Sequence, residues 1–419
     1  MNPPRIAIIG TGISGLGCAH FLQRHFDLTL FEAGAHVGGH SNTVGVKEGA
    51  REVPVDTGFM VYNEVTYPHL TRLFAELKVP TKETVMSFSV HHGPSGVEWN
   101  GGGLNTLFGQ RKNLLSLRHW KFLYQLNRFN NEAVPALDDP QYRSMTLADY
   151  VAARGYGHNF TERYLVPMAG AVWSTPPDKM LRFPAITLLR FWHNHGFLGL
   201  TTQHQWRTVD GGSREYVKRL IAPLADRIHL STPVTSVRRL ADGVEVSTDK
   251  LGTQHFDKVI LAAHADQSLR LLADATDQER AVLGKFKFQP NHTHLHSNES
   301  FMPETKRCWA AWNYRYEKGT TTHYWMNALQ GCSDQRHYFV SLNADVPAAD
   351  VHASIDYEHP LFDLPAISAQ TEVPPLNQAD GRTYFAGAWT RYGFHEDGLL
   401  SAVKVCTQLL GGDPWKRKD

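Results

Sequence analysis

Residues 6–32 most constrain what this chain can become. An unbroken apolar run, Ile6-Ala7-Ile8-Ile9, leads into Gly10-Thr11-Gly12-Ile13-Ser14-Gly15, and Glu32 closes a second apolar run, Leu28–Phe31. A continuous rather than alternating run predicts a strand buried on both faces, as in a parallel sheet. Ser14–His25 predicts the helix that follows, with Leu16, Ala19, Phe21 and Leu22 packed on the sheet. Strand, glycine turn, helix, strand and acidic residue in this order read as a dinucleotide-binding unit. In it, Gly10 permits the tight turn, Gly12 lets backbone approach a pyrophosphate, and Gly15 lets helix and strand pack closely. Ile13 and Ser14 open the helix, whose free N–H groups and positive dipole end face the pyrophosphate. Glu32, followed by Ala33, stands where ribose hydroxyls can be bound.

Bulk properties narrow the remaining possibilities. A chain of 419 residues, 42% hydrophobic, can bury a large core and is expected to hold two domains. A net charge of +1 gives no reason to expect nucleic acid. Cys18, Cys308, Cys332 and Cys406 are far apart and form no C-x-x-C, which argues against disulfides, zinc or a dithiol centre and suits a reducing compartment. The first strand begins near Arg5, and no apolar run reaches about 18 residues, so a cytoplasmic location without a cleaved signal is expected.

The far end carries a second signal. Tyr384-Phe385-Ala386-Gly387 is followed by Gly393-Phe394-His395-Glu396-Asp397-Gly398 and a helix-like tail. Between the ends lie Glu32–His40 with its Gly38-Gly39 pair, Val55-Asp56-Thr57-Gly58-Phe59, Val209–Ser213, Pro233–Val237 and Asp257–Ala263. In this order the segments resemble flavin-containing amine oxidases and phytoene-desaturase-like enzymes. That family usually places Arg around Gly-Gly; here His36 and His40 stand instead.

The resemblance implies FAD as the cofactor. It assigns Gly38, Gly39, His40, Thr57, Gly58, Phe59, Val234, Gly387, Glu396, Asp397 and Gly398 to its binding, besides the N-terminal residues. It also implies the α/β class: a Rossmann-like FAD-binding domain (βαβ, GR2-type) with an inserted α+β substrate domain. Residues 1–60, 205–275 and 375–419 would form the first, and 61–204 with 276–374 the second. The final helix would point its N-terminus at the flavin.

The inserted half offers candidates for chemistry. If Asn291–His296 is a strand, His292, His294 and His296 share one face. They read either as a proton-accepting surface, with His294 or His296 as acceptor, as a metal site, or as polar contacts on a half-buried sheet. The metal reading lacks a carboxylate or Cys at helpful spacing, and no metal is expected. Related amine oxidases carry a lysine near this stretch, and here only Lys285 and Lys287 lie just upstream. Phe394 falls where that family commonly has a Tyr wall, and reads either as an apolar wall that suits a hydrocarbon better than a polar amine or as ordinary core packing. Trp389 and Tyr392 are placed to gate access. Phe183–Leu200, apolar apart from Arg190 and His193-Asn194-His195, can line a tunnel. Leu114–Phe129 predicts a basic amphipathic helix, either an ordinary surface helix or one resting on anionic membrane.

The match through His40, Phe59–Asn63 and Trp206-Arg207 resembles a bacterial subgroup of predicted amine oxidases often encoded beside cyclopropane-fatty-acid-synthase-like methyltransferases. It implies desaturation of a lipid acyl chain by hydride transfer to the flavin; peripheral contact at the inner membrane is a separate expectation that rests on the basic helix. Two alternatives stay open: oxidation of a polyamine-type amine, and a flavoprotein that serves as redox or binding partner of a lipid methyltransferase.

Overall fold

In the computed structural model, which describes residues 3–199, 202–317 and 319–416, Ile6, Ala7 and Ile8 have no exposed surface. They belong to the strand Arg5–Ile9, the centre of a five-stranded parallel sheet. The sheet runs Ile228–His229, Asp27–Phe31, Arg5–Ile9, Lys258–Leu261, Thr383–Phe385, so its strands come from both ends and the middle of the chain. This is the doubly covered parallel sheet that unbroken apolar runs predict.

The helix Ile13–Leu22 stops three residues short of the expected His25. Every residue in it except His20 is buried, because the final helix, His395–Leu410, covers its outer side. Gly17 permits that contact: a Cβ there would lie 2.9 Å from Leu399 and 3.0 Å from Ala402.

A seven-stranded mixed sheet forms the opposite wall. Its order is Val351–Leu361, Lys287–His296, Phe339–Leu342, Thr320–Trp325, Trp312–Tyr316, Phe88–His92, Val97–Asn100. Beside it the helices Leu117–Ala136, Leu147–Arg154, Val166–Trp173 and Ala185–Asn194 enclose an aromatic core that includes Phe122, Phe129, Tyr150, Phe160 and Trp192. The apolar stretch that begins at Phe183 supplies the last of these helices; its end, Leu200, lies outside the described residues. Among the described residues no helix is long and apolar enough to cross a membrane.

Candidate active site

A cavity of about 690 Å³ opens where the parallel strands end, between that sheet and the seven-stranded one. Crevices at the carboxyl ends of parallel strands are where such folds hold ligands. Gly10, Thr11, Gly12, Ile13, Ser14, Glu32, Ala33, Gly39, His40, Thr57, Gly58, Phe59 and Val234 border it, as the sequence motifs require.

Each glycine has a separate geometric reason. Gly10 has φ +99°, and a Cβ there would sit 2.7 Å from the Ala262 carbonyl oxygen. At Gly15 a Cβ would come within 1.9 Å of the Gly10 oxygen, so helix and turn touch through backbone alone. Gly12 meets no protein atom within 4 Å, and no side chain caps the helix it precedes. The first helix therefore presents free N–H groups to the cavity, with no acidic residue in its first turn. A Cβ on Gly58 would meet the His40 oxygen at 2.2 Å, and Phe59 N donates to that oxygen at 2.7 Å. These bare-backbone surfaces, an uncapped helix end and an acidic residue at its rim fit a dinucleotide.

Glu32 is braced rather than free. Its Oε2 accepts from Thr11 N at 2.9 Å and Thr11 Oγ1 at 2.6 Å, and its Oε1 accepts from Gly34 N at 2.8 Å. Carboxylate oxygens have further lone pairs, so ribose hydroxyls can still be accepted.

Histidines crowd the same cavity. His40 stacks on Tyr357 at 4.7 Å and lies 5.2 Å from the ring of His359. Burial, then the neighbouring imidazoles of His359 and His264, hold His40 well below the usual histidine range, so it is neutral. Burial likewise lowers His359 to about 4. His395, first residue of the final helix, stacks on Phe59 at 3.9 Å and 11°. Its Nε2 lies 2.7 Å from the Tyr216 hydroxyl and 3.1 Å from Ser41 Oγ, and burial lowers its pKa to about 3.

Several residues expected at the cofactor stand behind the wall instead. Glu396 accepts from His69 N, His69 Nδ1 and Leu70 N at 3.1, 2.6 and 2.9 Å, capping the helix Pro68–Glu76. Asp397 accepts from Phe394 N at 3.0 Å, and burial pushes its carboxyl up to about 7. Gly387 N donates to Ser401 Oγ at 2.9 Å, and the Gly398 carbonyl accepts from Ser14 Oγ at 3.0 Å. These four brace the turn that presents Phe394 and His395. Gly15 and Gly38 also lie beneath the cavity surface rather than on it.

The proposed proton acceptors are not at the cavity. Strand side chains alternate, and in Lys287–His296 it is Thr293, fully buried, that faces inward. His294 Nδ1 instead pairs with Ser354 Oγ at 2.8 Å on the sheet's other side. His296 accepts from Asn298 N at 3.1 Å through Nδ1, so its Nε2–H donates to Ser341 Oγ at 2.6 Å. Both of its nitrogens are committed to structure. Lys285 pairs with Glu372 at 2.9 Å and Lys287 donates to the Gly284 carbonyl at 2.8 Å, so neither reaches the cavity.

The part of the cavity facing the inserted segments is walled by aromatic rings. Phe394 stacks on Phe191 at 4.8 Å and meets Trp173 edge-on at 6.0 Å. Phe197, Trp206 and Trp312 extend the wall, with Met60, Val61, Met86, Val172 and Leu342 between them. Tyr324 and Ser174 are hydroxyls in this apolar lining. Ser174 ends the helix Val166–Trp173 in the left-handed conformation, φ +51°. A second cavity of about 360 Å³ adjoins, sharing Tyr67, Phe191, Tyr392 and Phe394 with the first. His395, Trp173, Tyr324 and Ser174 were not singled out from sequence, since nothing local marks residues gathered from distant segments.

The sequence profile of the family described as flavin containing amine oxidoreductase matches residues 13–291. A search of curated proteins returns no match. Among solved structures, the fold is similar to cyclohexylamine oxidase from Brevibacterium oxydans IH-35A, at TM-score 0.70 and 16% identity, over 97% of this chain and 100% of that one. Putrescine oxidase bound to putrescine aligns at TM-score 0.69 and 14% identity, over 98% and 99% of the two chains. A CLA-producing fatty acid isomerase from P. acnes aligns at TM-score 0.66 and 16% identity, over 97% and 96%.

Proposed function

This chain belongs to the flavin-containing amine oxidoreductase family and is an FAD-dependent oxidoreductase, and we propose that its substrate is a lipid acyl chain, oxidised to a carbon–carbon double bond. The observation that carries this reading is the lining opposite the glycine turn: aromatic and aliphatic, with no carboxylate to receive an ammonium. Among the described residues that line the larger cavity the acids are Glu32 and Glu358; Glu396 and Asp397 border the adjoining smaller one, where Glu396 is held by His69 and Leu70 and Asp397 accepts from Phe394 N. Glu32 is held by Thr11 and Gly34, and Glu358 lies 3.2 Å from His264 Nδ1. An ammonium buried against the aromatic wall of the larger cavity would lose its hydration with no counter-charge there, a cost of several kcal/mol. A hydrocarbon segment loses nothing there and gains about 25 cal/mol per Å² buried.

FAD, held along Gly10–Ser14, Glu32 and Gly39–His40, would supply the two-electron acceptor for a hydride from one carbon. The chain's own part is to hold the adjacent carbons in place, exclude water and receive the remaining proton. Trp173, Phe191 and Phe394 form the rigid wall for positioning. The Ser174 and Tyr324 hydroxyls in the lining would relay the remaining proton to solvent water, since neither Lys285 nor Lys287 reaches the cavity.

The test is anaerobic mixing of the FAD-loaded enzyme with unsaturated or methylated phospholipids on one side and a panel of primary, secondary and polyamines on the other. Bleaching of the flavin absorbance by lipid supports the proposal. Bleaching by an amine and by no acyl lipid overturns it.

A further inference from the structure

We propose that the segment Arg111–Tyr124 is a docking surface for an anionic lipid bilayer. It stands apart from the substrate assignment, since a membrane-bound enzyme could act on any substrate.

From Trp99 to Asn131 the chain contains no Asp or Glu, but it carries Arg111, Lys112, Arg118, Lys121 and Arg128. Apolar side chains in this segment are turned outward. Leu115 is 93% exposed, Leu117 86%, Tyr124 69% and Trp120 49%, with Leu114 beside them at 47%. Leu117, Trp120 and Tyr124 are spaced three and four apart in the helix Leu117–Ala136, so they share one stripe. The opposite stripe, His119, Phe122, Phe129 and Ala133, is buried, so the helix already has its core face. Trp120 leans on the Phe108 ring at 5.2 Å, and the outward stripe is otherwise an exposed second apolar face.

The face is held in shape. The short helix Arg111–Leu115 presents Leu114 and Leu115, and Trp120 Nε1 donates to the Leu114 carbonyl at 2.9 Å. Arg111 is used locally, donating to the Asn105 and Phe108 carbonyls at 3.0 and 2.9 Å, and Arg128 pairs with Glu132 at 2.8 Å. Lys112, Arg118 and Lys121 are exposed around the leucines and have no acidic partner within the described residues. Exposed leucines, an interfacial Trp and Tyr, and an unopposed ring of cations match the headgroup layer of an acidic membrane. The leucines enter the acyl boundary while the cations meet phosphates. A protein partner would have to bring its own acidic rim to this face.

The holoenzyme should float with phosphatidylcholine vesicles that contain phosphatidylglycerol and stay behind with phosphatidylcholine alone. Added salt should weaken the binding. Lys121→Glu changes the charge by two and should weaken it roughly twenty-five-fold, about fivefold for each unit of charge. Leu115→Asp with Leu117→Asp should abolish it while the flavin spectrum and melting temperature stay as in the parent, which shows the chain still folds. Equal flotation with neutral vesicles, no flotation at all, or parental flotation of these variants would overturn the proposal. So would a lipid-free oligomer of the parent that Leu115→Asp dissolves, since the face would then belong to a protein contact.

Discussion

The hydroxyl of Ser14 donates to the carbonyl of Gly398 at 3.0 Å, joining residues 384 positions apart. Across the same contact a Cβ on Gly398 would lie 2.7 Å from Ile13 Cγ2. The glycine turn at one end of the chain and the Gly393–Gly398 turn at the other are thus one packed unit, and the cofactor cavity is its surface.

Two glycine substitutions separate binding from folding. Gly12→Ala adds a methyl group that meets no protein atom within 4 Å but protrudes where the dinucleotide backbone passes. The apoprotein melting temperature should stay within a few degrees of the parent, while FAD affinity falls at least about tenfold, or 1.4 kcal/mol. Gly15→Ala forces a contact at 1.9 Å with the Gly10 oxygen and should lower the melting temperature of the apoprotein itself. Fluorescence titration of FAD and calorimetry of each apoprotein check the pair.

Phe394 borders both cavities, packed between Phe191 and Trp173. Phe394→Ala should merge the two spaces, costing about 3–5 kcal/mol of stability if the hole stays open. Bulkier acyl substrates should then react, while the parental substrate shows a raised KM. Kinetics over a series of chain lengths read this out.

The strand Lys287–His296 separates structural from chemical roles. His294→Ala should leave kcat unchanged. His296→Ala breaks the link through Ser341 to His323, whose Nδ1 lies 2.6 Å from the same hydroxyl. It should cost about 1–3 kcal/mol in urea unfolding, again with kcat preserved. Tyr324→Phe should instead lower kcat without changing the FAD affinity. Loss of turnover in His294→Ala would restore the histidine face as the proton acceptor.

How legible these features are depends on how local their physics is. The strand–turn–helix unit announces itself because apolar period and glycine chemistry act within 27 residues, Ile6 to Glu32. The parallel sheet and the flavin cofactor follow from it and from the C-terminal segment. Alternation correctly groups His292, His294 and His296 on one face, but alternation cannot say which face looks inward, and Thr293 does. A slip of one residue reverses every side chain. Glu396 sits in a cofactor-like motif yet caps a helix at His69 and Leu70, a partnership that only tertiary packing creates. His395, unremarkable within its motif, is the ring stacked on Phe59.

Buried neutral histidines set the response to acid. Burial lowers His195, His296 and His359 to about 4, and His323 and His395 to about 3. Unfolded, each would take a proton near pH 6.5, so their contribution to stability is complete above about 6.5 and is lost as pH falls toward 4. Asp56 and Asp397, raised by burial to about 6 and about 7, act in the opposite direction and are outnumbered. More imidazoles than carboxyls are shifted, so stability should fall as pH drops below about 6. Urea midpoints measured between about pH 7 and pH 5 should drop steeply; a flat profile would mean that these imidazoles are solvated.

The most direct test of acyl-chain oxidation is the mass of the product. After anaerobic single turnover with an unsaturated or methylated phospholipid and stoichiometric FAD-loaded enzyme, mass spectrometry of the recovered lipid should show loss of two hydrogens from the acyl chain, matching the flavin reduced. An unchanged lipid, with an imine or aldehyde formed when an amine is supplied instead, would contradict the account.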